Sequence, residues 1–155
     1  MNRKNNYDDI DLLLNDIRSD IEEVLMDDVL EEVRDIEISN VKRDVLSAYN
    51  PKIYNRRSAG GIDDRKNIIG EVRDMQLSVD NITEFNNAYG TYNHGVGLAD
   101  LINDGSGKSG FYYDFTGEFE RPRPFIDNTI LEVEKTNRVE EALERGMKRR
   151  KYDIS

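Results

Sequence analysis

The chain has 155 residues, and its 32 acids against 22 bases give a formal net charge of -10 with the single His neutral. The absence of Cys excludes a disulfide framework, a thiolate metal site, an iron–sulfur centre and a cysteine nucleophile. Val, Ile, Leu and Phe make up 40 of the 155 residues, above the roughly 20% below which a highly charged chain is expected to be disordered, so a single domain over 1–155 with a lean core is expected.

The first segment, 8–49, reads as helical and acidic. Apolar residues at Ile10, Leu13, Leu14, Ile17, Ile21, Val24 and Leu25 lie on one helical face, and Val29, Val33 and Ile36 continue it after a one-residue drift near Asp28. No Gly or Pro interrupts this run. Val41, Val45 and Leu46 carry the stripe towards Tyr49, and Asn50-Pro51 must end it. The spacing predicts one helix of about 40 residues, or two joined near Ser39-Asn40. A helix that long is more than one small globule can cover, so either it lies across the domain or part of it packs on another chain.

From 50 to 120 the pattern turns to strands and loops. Residues 67–73 and 75–82 read as an antiparallel hairpin, with Met75, Leu77 and Val79 alternating along its second strand. Leu98 to Ile102 reads as one or two helical turns, Gly105 to Gly110 as a flexible loop, and Phe111-Tyr112-Tyr113-Asp114-Phe115 as strand-like. The last segment, 121–150, opens with Arg121-Pro122-Arg123-Pro124. Pro124 suits the first turn of a helix carrying Phe125, Ile126, Thr129, Ile130 and Val133. Asn137 is expected to cap a final helix containing or ending near Gly146. The fold class is therefore α+β: a long N-terminal helix, a small antiparallel sheet, and a C-terminal helix or helix pair.

No catalytic, cofactor or metal site emerges. Gly107-Lys108-Ser109 has the end of a phosphate loop, but the required earlier Gly is Ile102. His94 sits in a Gly-rich loop without a motif partner, and no calcium-binding loop pattern occurs among the acids. No run of about 20 apolar residues is present to span a membrane, and the N-terminus lacks the apolar stretch of a secretory signal. Charge is the informative feature. Residues 8–37 hold 13 acids and only Arg18 and Arg34, whereas residues 145–152 hold five bases and no acid. A second basic, aromatic cluster spans Tyr49 to Arg57. The acidic row alone reads as a solvated helix face, or as a surface that meets basic partners or repels DNA; together with the basic clusters it suits head-to-tail pairing of copies in a ring.

Four stretches taken together resemble the small neck, head–tail joining and tail-completion proteins of tailed bacteriophages and prophages. They are Ala48-Tyr49-Asn50-Pro51-Lys52-Ile53-Tyr54-Asn55-Arg56-Arg57 with the following Gly60-Gly61-Ile62-Asp63-Asp64; Leu98-Ala99-Asp100-Leu101-Ile102; Arg121-Pro122-Arg123-Pro124-Phe125-Ile126-Asp127-Asn128-Thr129-Ile130; and Ala142 to Arg150. The resemblance implies a non-enzymatic structural virion protein, made in the bacterial host cytoplasm and placed in the neck or at the top of the tail. It implies a homo-oligomeric ring, of six- or twelve-fold symmetry, between portal or connector-side and tail-side virion proteins. DNA would make passing contact in the lumen, and no cofactor or membrane would be involved. Candidate interface residues are Tyr49, Tyr54, Arg56, Arg57, Arg121, Arg123, Phe125, Lys148, Arg149 and Arg150. The alternative expectation is an acidic DNA mimic that inhibits a DNA-binding protein.

Overall fold

A computed structural model describes residues 9–48, 59–83, 97–105, 121–150 and 152. Its spine is one continuous helix built of α1 (Ile10–Val24), a π turn (Leu25–Val29), α2 (Leu30–Asn40) and a second π turn (Val41–Leu46). The carboxylate of Asp9 starts it by accepting from the backbone N–H of Asp11 at 2.9 Å. The first π turn explains the drift near Asp28: it accommodates one extra residue, so buried Val24 and Val29 stand five apart and the stripe changes face. At Ser39-Asn40 the helix does not break. It widens into the second π turn, which keeps Asn40, Val41 and Val45 buried.

A short 3₁₀ turn (Arg65–Asn67) leads into β1 (Ile68–Arg73), which pairs antiparallel with β2 (Gln76–Asn81), Ile68 opposite Asn81 and Arg73 opposite Gln76. Ile68, Gly70 and Val72 face the helices while Ile69, Glu71 and Arg73 face out. Gly70 is required by a close approach, since a β-carbon there would lie 2.7 Å from Leu30 Cδ2. Met75, expected in the second strand, instead occupies the turn. Both Asp74 (φ 51°) and Met75 (φ 61°) adopt the left-handed conformation that two-residue hairpin turns demand.

The remaining elements are α3 (Leu98–Asp104), α4 (Phe125–Lys135) and α5 (Arg138–Arg149). Val41, Val45, Ile62, Ala99, Ile102 and Phe125 form the core cluster, with Leu46, Leu98 and Ile126 packed on it. The α4 helix starts directly after Pro124, as expected, and buries Phe125 and Thr129, but Ile130 points outward. Asn137 stands at the head of α5 without a side-chain capping bond. The α+β architecture of long helix, two-stranded sheet and C-terminal helix pair matches the expectation. The aromatic run 111–115, His94 and most of the glycine loop lie outside the described residues.

A candidate interaction site on the acidic helix

The acidic helix and the basic C-terminal helix meet within one chain. The α5 helix runs antiparallel to the spine, so its bases descend the acidic row in order. Arg138 Nε binds Glu32 Oε1 at 2.7 Å, and Arg145 reaches the same carboxylate at 3.3 Å. Arg149 pairs with Asp28. Arg150 lies 3.2 Å from Glu23, 3.6 Å from Asp27 and 3.8 Å from Asp20, while the Tyr152 hydroxyl donates to Asp20 at 2.8 Å. Lys148 faces outward and pairs with Glu144 on its own helix.

Packing fixes this register more firmly than charge. Ala142, Gly146 and Met147 are buried against the spine. A β-carbon on Gly146 would collide with Val24 and lie 2.6 Å from Asp28 Oδ2. Exposed ion pairs stabilise by about 0–1 kcal/mol each, so the flanking arginines contribute mainly orientation. Arg138 is better placed: it bridges Glu32 on α2 and Glu132 on α4, the latter at 2.9 Å, and both carboxylates hold its guanidinium pKa above the ordinary value.

On the hairpin side the same helix is clamped again. Arg65 pairs with Glu31 and Asp35, which raises its pKa, and Arg34 donates from Nε to the carbonyl of Ile68 at 2.7 Å. Glu37 is buried, and loss of solvent pushes its carboxyl upward although Asn81 Nδ2 donates to it at 2.7 Å. Asn81 also donates to Ile62 O and accepts from Thr83, which with Asn67 ties down the 61–67 loop. Across the other face, buried Asn40 donates to Thr129 Oγ1 at 3.2 Å and to Glu132 at 3.3 Å, and Asn128 donates to Asp44 at 2.9 Å.

The expected polarity is real, but its use differs from expectation. The pairing foreseen between copies is made within the chain, because α4 and the short Thr136-Asn137 break turn α5 back along the helix that carries the acids. Asp20, Glu23, Asp27, Asp28, Glu31, Glu32 and Asp35 all lie within ion-pair distance of an arginine. The bare row of carboxylates that mimicry of DNA would need is therefore interrupted.

Of the candidate interface residues, Arg149 and Arg150 belong to this internal ladder. Phe125 is 0% exposed and serves the core, so it is unavailable to a partner. Arg121 is exposed, and Arg123 is half-buried with its backbone N–H donating to Ile102 O at 2.9 Å. Tyr49, Tyr54, Arg56 and Arg57 lie outside the described residues. Sequence reasoning missed Arg138, Glu32 and Gly146. Their signal was available: acids and bases in reversed order along two helices, with a glycine between the bases.

Among the described residues large apolar side chains are exposed in several places, Met26, Ile69, Met75 and Ile82 included. Ile10 is 73%, Leu12 59% and Leu14 48% exposed at the start of α1, on the N-terminal side of the Asp20 that Tyr152 bonds. Ile130 and Leu131 are exposed on α4. Among the described residues there is no His, Cys, Asp and Glu group that could hold a metal, and no helix long and apolar enough to cross a membrane.

A family model described as YomN matches residues 6–149. No curated protein and no solved structure matches the chain.

Proposed function

The chain belongs to the YomN family, a phage-associated family, and from that premise we propose that it is a structural protein of the phage particle, assembled as a ring in the neck or at the top of the tail. The observation that carries this reading is the uncovered start of α1. Among the described residues, the C-terminal segment meets the spine as far as Asp20 through the Tyr152 hydroxyl, and Ile10, Leu12 and Leu14 nearer the start of α1 are exposed. Exposed large apolar side chains gathered on one projecting element mark interaction surfaces. The internal ion pairs orient α5 along the middle of the spine, between Asp20 and Glu32.

In this reading the protein binds copies of itself and the virion proteins above and below it, and carries out no chemistry. The residual negative charge of α1 would let DNA pass without adhering. The test is deletion of its gene from the phage or prophage that carries it, with electron microscopy of the induced lysate. Separate filled heads and tails, or tails of uncontrolled length, are the expected products. Normal particles with full infectivity would overturn the assignment.

A further inference from the structure

The bend between α4 and α5 is one residue away from being helix. Thr136 departs from it, with φ -115° and ψ 152°, whereas Asn137 at φ -84° and ψ 10° lies close to the helical region. The ladder is already in place on both sides. The Thr136 N–H donates to Glu132 O at 3.0 Å, and the Glu141 N–H donates to Asn137 O at 2.8 Å. Between them the backbone N–H groups of Asn137, Arg138, Val139 and Glu140 have no hydrogen-bond partner among the described residues, and the Asn137 side chain caps none of them. No Gly or Pro imposes the bend, since none occurs between Phe125 and Arg145.

Rotating Thr136 into the helical region would join α4 and α5 into one helix. The four free N–H groups would then meet the carbonyls of Val133, Glu134, Lys135 and Thr136. Local structure therefore favours the straight form, and the bend is held by the docking of α5 on the spine. Across the bend itself the tie is Arg138 to Glu132 at 2.9 Å, a part-exposed pair of small worth. The docking surface is specific to α5: the spine meets Gly146 at Val24 and Asp28, and Arg149 and Arg150 reach Asp28 and Glu23.

Resting on the assembly role above, we propose that α5 is exchanged between copies. The bend straightens at Thr136, and α5 of one copy docks on the spine of the next, in the place held by that copy's own α5 when the chain is alone. Every contact between α5 and a spine is kept, and the helix gains the bonds that the bend forgoes. Each copy gives α5 to one neighbour and receives it from another, the head-to-tail pattern a ring requires.

The chain has no Cys, so a crosslink can be placed at will. Asp28→Cys in one full-length chain and Arg149→Cys in a second, distinguished by a mass tag, are refolded together and treated with a short bismaleimide. Exchange joins chains of different mass. Asn137→Pro suits the bend, because Asn137 has an unbonded N–H and Thr136 already has the extended conformation favoured before Pro, but it breaks the straight helix. In sedimentation velocity it should weaken association about a hundredfold. Thr136→Ala combined with Asn137→Ala should strengthen association several-fold, and it decides the matter if circular dichroism shows Asn137→Pro unfolded. A wild type monomeric at every concentration, associated chains without the mixed crosslink, or hinge variants that associate as the wild type does would overturn the exchange. A chain present in purified particles yet failing these assays would refute the exchange while leaving the structural role standing.

Discussion

Gly146 and Asp28 are packed so tightly that a single β-carbon on Gly146 would lie 2.6 Å from the Asp28 Oδ2 atom. That oxygen is buried and has no hydrogen-bond partner among the described residues, while the other oxygen of the same carboxylate pairs with Arg149. Two helices thus close on each other at a residue without a side chain, and a charged group is trapped beside the contact. In an exposed helix interior Gly→Ala stabilises by about 1 kcal/mol. Here Gly146→Ala should instead destabilise by about 1–3 kcal/mol, as overpacking does. Urea unfolding measures it, and a gain in stability would show that the helices do not approach this closely.

Arg138 ties α2 and α4 to α5 through Glu32 and Glu132. Arg138→Met keeps the aliphatic bulk but leaves two half-buried carboxylates facing each other. The expected loss is about 1–2 kcal/mol, the scale of hydrogen bonds to charged groups reduced for partial exposure. Arg145→Met, which removes a more exposed contact to the same Glu32, should cost less than half as much. Equal effects in thermal melts would contradict the bridging role.

Glu37 gives a pH dependence. Burial raises its carboxyl above the ordinary 4.5. Below 4.5 the group is protonated in folded and unfolded states alike, and its contribution to stability is complete. As pH rises through the folded value, ionising a buried carboxyl erodes that contribution. Glu37→Gln keeps an acceptor for Asn81 and should be more stable than wild type at neutral pH. The advantage should vanish as pH falls below the ordinary carboxylate range. Denaturant midpoints across that interval decide it, and a pH-independent difference would contradict the burial argument.

Met75 holds a left-handed backbone conformation at an exposed hairpin tip. For an L-residue this conformation costs about 1–2 kcal/mol, part of which Gly recovers after its larger unfolded-state entropy is deducted. Met75→Gly should raise stability by about 0.5–1 kcal/mol in calorimetry. A decrease would mean that the Met75 side chain makes a stabilising contact.

These relationships show how far the sequence could be read. Periodicity located the long helix, and its one-residue drift near Asp28 was the trace of the π turn, because an inserted residue rotates every later side chain by about 100°. Alternation located the hairpin but assigned Met75 to a strand, since a two-residue turn between Arg73 and Gln76 leaves no compositional mark when neither residue is Gly or Asn. The charge polarity was legible, but not who pairs with whom. Opposite charges attract equally within and between chains, and the choice was made by geometry: the short Thr136-Asn137 link folds α5 back, and Gly146 lets it settle. Phe125 illustrates the converse, an aromatic beside arginines that resembles an interface residue and is wholly interior.

A chain built into the phage particle as a ring must be present in purified particles in fixed number. Quantitative mass spectrometry of gradient-purified particles tests it most directly. The expected result is a fixed, small number of copies per particle, retained through salt washes and matching the rotational order of one neck or tail tier. Absence from purified particles, with the protein abundant in the surrounding lysate, would contradict it.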